Sequence, residues 1–499
     1  MQTEASQAIR EQIDSDLEDH ISRIQRAVQQ PSVSVEHDGL REIAELMVEY
    51  LDDLGCEEAQ LVETDGAPGV WGYYDAGADT TVVNYGMLDT RPVGDEDEWT
   101  YDPFGGELAE HDEFGRVIYG RGSVKVKGAY VAWLNALSAM KAALGELPVN
   151  LMFLLEAEEI NGSPHYYEML DQYADRIDAA DACLCPLAGQ SADGSVTGSL
   201  GYKSALYFDM EVSGESWGHG PQGGSIHAMS NATVDSPAWR LVDALASLTA
   251  DNGREIEIDG YYDQYEPPTE AERAEIEAFV DTLDETTDTP RENLWKHLPG
   301  LSRGDGEVTR LKDGLEGDVV EAFVQHFYSP ESFNIQGIAS GYLGPGTNTK
   351  PFTMPGEGRV TFDLRMPRGY DPAVVRQQLR DHLDDNGFTD VELDVSGEHT
   401  WCKTDPDSDL VDAVRDVVER HGSELTLWPF SAGGVPWAAF GTRFEIPLLY
   451  GVGLGYGENS EGADEFFVVD GNDTVGGLAD CELSHAEMLL AYAGKAEPN

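Results

Sequence analysis

Asp89 follows the apolar run TVVNYGML (81–88), and Glu158 and Glu159 come at and just after the end of VNLMFLLEA (149–157). Carboxylates at such places can hold cations or exchange protons. The stretch GRGSVKVKG (120–128) sets Lys125 and Lys127 two residues apart, in a chain with only nine lysines among 499 residues. Its flanking glycines predict a tight turn running into a helix, shaped for a close approach. Cys183 and Cys185, in DACLCPL (181–187), share one face of an expected strand.

The elements that must position these residues follow from apolar periodicity. A helix is expected over Ala5–Gln30, with Ile9, Ile13, Leu17, Ile21 and Ile24 on one side and Pro31 closing it. A second runs near Gly39–Leu54. The continuous apolar runs at 81–88, 149–157 and 181–187 alternate with helices, notably 128–144, and read as buried parallel strands. Open α/β sheets collect ligands beyond the carboxyl ends of their strands, where Asp89, Glu158–Glu159 and Pro186 fall. From about Gly201 the texture changes. KSALYFDMEVSG (203–214) and GRVTFDLRMP (358–367) alternate like half-exposed antiparallel strands, around an acidic helical segment at about 265–330. A helix near 409–421 and a strand at IPLLYGVGLG (446–455) resume the first pattern. The expected fold class is α/β, a mainly parallel-sheet domain (1–200 and 398–499) split by an inserted α+β domain (201–397).

Charge narrows the function classes. The chain has 94 acidic against 31 basic residues, a formal net charge of −63. Such a field opposes nucleic acid and anionic membranes. At molar salt the Debye length falls to ~3 Å, which makes the same surface tolerable. A salt-adapted cytoplasmic protein is expected. Five unpatterned cysteines fit a reducing compartment. No basic leader with an apolar core and no run of about 18 apolar residues is present, so no signal peptide or membrane span is expected.

Several blocks, in order, resemble the M20 metallopeptidases, particularly the carnosinase-like dipeptidase branch. They are YGMLDTRP with WTYDPFGGEL, YGRGSVKVKG, LLEAEEINGS, DGYYDQYEPPTEAER, GYLGPGTNTKPFTMPGEGRVTFDLRMP, SAGGVP and ENSEGADEF. The resemblance implies the split architecture, a dimerisation or lid domain, a homodimer, and a small peptide-like ligand in the active-site cleft. It also implies two zinc ions held by five ligands, with a bridging water attacking an amide carbonyl. Carried across position by position, those ligands fall on Met87, Lys125, Ile160, Pro186 (or Leu187) and Glu461. The general-base position keeps Glu159, and the carboxylate that orients the first histidine keeps Asp89. Gly120, Arg121, Gly122, Gly162, Ser163 and Arg365 also match.

Each replacement has a consequence. A thioether suits Cu(I) rather than a borderline dication. Isoleucine has no donor atom, and an ammonium repels the dications it would replace. Glu461 alone could still bind a metal. Lys125 would stand among Asp89, Glu159 and Glu461 as their counter-charge, or else point to solvent; Lys127 matches a lysine of the family and reads as structural. Zinc lowers the pKa of bound water from about 15.7 to about 7, on the order of 12 kcal/mol at ~1.36 kcal/mol per unit. A lone general base supplies about 10²–10⁴-fold, at most ~5–6 kcal/mol. Metal-type hydrolysis is therefore not expected.

Other residues carry two readings each. Cys185 could join Asp89 and Glu461 in a relocated metal site, or be core. His219, in SWGHGPQGG, resembles the family histidine that reaches a partner subunit's site, or is a surface histidine. Arg365 suits bidentate carboxylate binding, or forms a structural ion pair. Arg121 reads as structural. Ser431 stands where the dipeptidases carry arginine. Three functions stay open. The first is a metal-free binder of small carboxylated, peptide-like or N-acyl amino-acid ligands, with no cofactor. The second is an enzyme using Lys125 and Glu159 in acid–base or amine chemistry. The third is a zinc hydrolase with relocated ligands.

Overall fold

The computed structural model describes residues 2–298, 300–301, 308–315, 317–341 and 352–496. The GYLGPGTNTK part of one family-like block therefore lies largely outside the described residues. The chain divides into two units, residues 1–200, 403–428 and 439–499 in one, and 201–402 with 429–438 in the other. The expected insertion, 201–397, differs mainly in residues 429–438, which carry SAGGVP. Their grouping has a physical cause: the Ser431 N–H donates to the Gly201 carbonyl at 2.7 Å.

The first unit is built on a six-stranded sheet. Its strands are β1 (Glu58–Val62), β2 (Gly69–Tyr74), β3 (Thr81–Met87), β4 (Asn150–Glu156) and β5 (Ala182–Cys185), with Leu448–Tyr450 at one edge. Their order is β1-β2-β4-β3-β5 and then 448–450. β3 pairs in parallel with β4 and β5, and β5 with 448–450, while β1 and β2 form an antiparallel edge. β3, β4 and β5 are buried throughout, as uninterrupted apolar runs require. The strand expected at 446–455 is only three residues long, ending at Tyr450.

Helices α1 (Gln2–Gln29), α2 (Leu40–Leu54) and α3 (Lys127–Leu144) match their expected spans closely. Ile9, Ile13, Ile21 and Ile24 of α1 are buried, and Leu17 is partly so. α3 is apolar nearly all round and packs against α1 and the C-terminal helix Leu478–Ala496. No described helix is long and apolar enough to cross a membrane, and no disulfide joins any of the five cysteines.

The second unit holds a four-stranded antiparallel sheet of β6 (Ser204–Ser213), β7 (Phe333–Ala339), β8 (Glu357–Met366) and β9 (Glu392–His399), ordered β7-β8-β6-β9. One face, with Leu206, Phe208, Met210, Phe362 and Leu364, forms a core with Leu241 and Leu379. That burial is the alternation read from the sequence. The opposite face of β6 and β8 is polar.

Candidate functional site

In the first unit, Met87 at the end of β3 is level with Glu156 at the end of β4. Asp89 and Glu158–Glu159 therefore lie beyond the carboxyl ends of adjacent parallel strands, where ligands gather. Asp89 is fully buried, and its two oxygens accept the N–H groups of Glu159 (3.0 Å) and Ile160 (2.9 Å). Burial lifts its pKa above the usual carboxylate value, against the pull of those bonds.

The turn before α3 brings in Lys125. At Gly128 a Cβ would stand 1.9 Å from the Ser123 carbonyl oxygen, so the tight entry to the helix requires glycine. The Lys125 ammonium donates to the carboxylate of Glu461. Arg91 approaches the same Glu461 oxygen at 3.2 Å, a contact the sequence reading did not single out. Glu461 has a left-handed backbone, as do its neighbours Asn459 and Asp464, the kind of local strain that persists where surrounding contacts fix it. Thr90, Arg91, Gly122, Lys125, Ile160 and Glu461 line an open hollow of about 180 Å³, solvent included.

Glu465, 1% exposed, also borders the hollow; sequence reasoning singled it out only as part of a block. Its Oε1 accepts from the N–H groups of Val124 and Lys125, both at 3.2 Å, and its Oε2 faces the Arg121 guanidinium at 3.2 Å. Arg121 also donates to the carbonyls of Gly462 and Pro92, so its role is structural. Lys127 diverges from Lys125. It is fully buried and donates to the Gln30 carbonyl at 2.6 Å and to that of Val28 at 3.4 Å, satisfying the carboxyl end of α1.

Glu159 is half-buried in a short turn with its carboxyl facing this group. Burial raises its pKa to about 7; Lys125 pulls it down, and Asp89 and Glu461 push it up. Its ionisation thus costs the folded state stability progressively as pH rises from the ordinary 4.5 through about 7. Infrared titration of ¹³C-labelled glutamate carboxylates is expected to find one group with a midpoint near 7. A Glu159→Gln protein that retains that signal would refute the assignment. The neighbouring Glu158 turns away to His165 Nδ1 at 2.7 Å. Glu156, also unforeseen, is buried and accepts from Tyr85 and Ser163 hydroxyls.

The remaining sequence candidates separate. Pro186 directly follows β5, and Leu187 bonds through its backbone to Val452 and His485. Cys185 is core, its sulfur accepting the Tyr85 N–H at 3.0 Å. Among the described residues no group of three or more His, Cys, Asp and Glu is disposed to hold a metal ion. In the second unit, Arg365 donates from Nε to Asp363 at 2.8 Å and from Nη1 to the Ala432 carbonyl at 3.4 Å. His219 is exposed and paired with Asp235 at 3.1 Å.

A model of the peptidase family M20/M25/M40 matches residues 85–474. The chain belongs to this family. The M20 chain is 28% identical to the Beta-Ala-His dipeptidase of Mus musculus over 351 residues, 68% of this chain and 64% of that one. The match therefore spans less than two thirds of that relative's length. It is 26% identical to the Cys-Gly metallodipeptidase DUG1 of Candida albicans, over 95% of both chains. Among solved structures it resembles the M20 family metallo-carboxypeptidase Sso-CP2 of Sulfolobus solfataricus, with TM-score 0.76 and 24% identity over 95% of this chain and 99% of that one. For human carnosine dipeptidase 1 the TM-score is 0.71 at 21% identity, over 98% and 100% of the two chains. These likenesses establish the fold, with its mixed α/β architecture.

Proposed function

We propose that this M20 chain binds small carboxylated, peptide-like or N-acyl amino-acid ligands, and that an ion pair takes the place of a dinuclear metal centre. The observation that carries this is the bond between the Lys125 ammonium and Glu461, residues that stand at two of the five ligand positions implied by the family resemblance. The donor chemistry at those positions does not fit two zinc ions. Met87 offers a thioether, Ile160 and Pro186 offer no side-chain donor, and Lys125 brings a positive charge. Both Asp89 oxygens already accept backbone N–H groups.

Protein purified in molar KCl is expected to contain no stoichiometric zinc and to leave dipeptides intact. About two zinc ions per chain, the number a two-metal hydrolase uses, together with chelator-sensitive dipeptide cleavage, would overturn the reading. One observation favours a second reading, acid–base catalysis without metal: a carboxyl titrating at about 7 suits proton transfer at neutral pH. Any activity found is then expected to vanish in Glu159→Gln.

A homodimer is part of the proposal. The second unit leaves β7 exposed at the sheet edge, with Ile335 and Ile338, and exposes Trp239 on the helix Pro237–Ser247. An unpaired apolar edge of this kind is readily covered by another chain. The acidic composition and the five cysteines without a disulfide support a salt-rich, reducing cytoplasm.

A further inference from the structure

Two buried lysines in a lysine-poor chain invite comparison. Lys127 spends its ammonium on two carbonyls at the end of α1. Lys203 is 2% exposed and just before β6; among the described residues it donates to the Ser329 carbonyl at 3.1 Å and pairs with no carboxylate. It lies on the polar face of the second unit's sheet. Lys203, Ala205 and Tyr207 alternate along that face, and Ala205 is level with Arg365 on β8 and with His399 on β9. His399 is 2% exposed, and its Nδ1 has no hydrogen-bond partner; the buried Nε2 of His326 has none either. The chain at 431–434 lies against this face. A Cβ at Gly434 would meet the Ala205 Cβ at 2.2 Å, and Arg365 Nη1 reaches the Ala432 carbonyl. Arg365 stands at the rim, its side chain 29% exposed.

We propose that Lys203, together with His399 and the rim guanidinium of Arg365, receives the carboxylate of the ligand, so that binding couples to protonation of a buried amine. This rests on the reading of the chain as a binder of carboxylated ligands, and adds Lys203 as the residue that sets its charge specificity. A buried cation with unused donors and orphaned ring nitrogens is an anion's environment, since each polar group left unpaired costs the full desolvation of that group. Among the described residues of this face, Asp363 has its oxygens occupied by Asn334, Gln336 and Arg365, and Asp209, further along β6, is engaged by Arg359 and Thr361. The groups facing the amine are Arg365 and Asp363 from β8, His399 from β9, His326 from the helix Val319–Tyr328, and Tyr207 from β6. Burial, with the Arg365 charge beside it, lowers the Lys203 pKa to about 7, whereas His326 is lowered to about 4 and His399 to about 3, both by burial first. Between pH 6 and 8 the amine is thus the group on this face poised to take up a proton.

The test is calorimetric titration of the dimer or monomer as purified, in molar KCl, with N-acetylalanine and with its neutral amide. Buffers of differing ionisation enthalpy report proton uptake. The carboxylate is expected to bind and the amide not, with uptake of about half a proton at pH 7, rising towards one as pH increases. Lys203→Met is expected to weaken binding by about tenfold to a hundredfold and to abolish uptake. Lys203→Arg is expected to retain binding and lose uptake, which a merely structural role for the lysine would not produce. Equal binding of acid and amide, no binding of the acid at its solubility limit, or unchanged uptake in Lys203→Met overturns the inference. Zinc content measured on the same samples separates the two claims. A zinc-loaded protein with Lys203-coupled binding overturns the proposed function alone, and a zinc-free protein indifferent to Lys203→Met overturns this inference alone.

Discussion

Arg121→Met is expected to destabilise the first unit by about 3–5 kcal/mol, the cost of removing one partner from a buried ion pair. Arg121 is 2% exposed and its partner Glu465 1%. The guanidinium joins three segments, through Pro92, Gly462 and Glu465, and stacks over Trp99 with its carbon 5.1 Å from the ring centre. Without it the Glu465 carboxylate remains buried, held only by the N–H groups of Val124, Lys125 and Glu461. Arg121→Lys is expected to recover little, because an ammonium cannot reach the same carbonyls and carboxylate from one fork. Adding Glu465→Gln to Arg121→Met is expected to recover part of the loss, since the buried charge disappears while an acceptor remains for Val124 and Lys125. Denaturant unfolding in molar KCl measures all three. A loss below about 1 kcal/mol, the value of an exposed pair, would refute the account of Arg121 as the tie that fixes Lys125 and Glu461.

Much of this was legible in the sequence because it is local. The uninterrupted apolar runs of β3 and β4, and the all-round apolar α3, leave little choice but burial in an α/β sheet. The carboxylates that follow those strands then fall at one edge by topology alone. Partners distant in sequence were not legible. Lys125 and Lys127 look alike in GRGSVKVKG, yet one meets a carboxylate more than three hundred residues later and the other the carbonyls ending α1. Arg91, Glu465 and Lys203 were passed over for the same reason. Each has ordinary neighbours in sequence and gains its meaning from a chain segment far away. The assignment of 429–438 to the second unit likewise depends on backbone bonds to Gly201 and Lys203, which no local pattern encodes.

Lys125→Met is expected to have the largest effect on the electrostatics of the site. The wild-type ammonium is the strongest influence opposing the rise in the Glu159 pKa. Its removal leaves Glu159, Asp89 and Glu461 with the 59%-exposed Arg91 nearby, Arg121 being paired with Glu465, so the Glu159 midpoint is expected to move above 7. Because the folded-state value would then lie further above the ordinary 4.5, the variant loses stability as pH rises through the neutral range and regains it in mild acid. The expected loss at pH 8 is about 1–3 kcal/mol, between the values for exposed and buried pairs, since Lys125 and Glu461 are each partly exposed. Lys125→Asp extends the argument, for a fourth carboxylate makes the repulsion worse unless a dication enters. Its stability is expected to be lower than that of Lys125→Met in chelator, and to rise on adding zinc by the linkage any native-state ligand obeys. If Lys125→Met leaves both the Glu159 titration and the pH-dependence of unfolding unchanged, the ammonium is not the counter-charge of these carboxylates. The ion pair would then be a surface contact rather than the replacement for a metal centre.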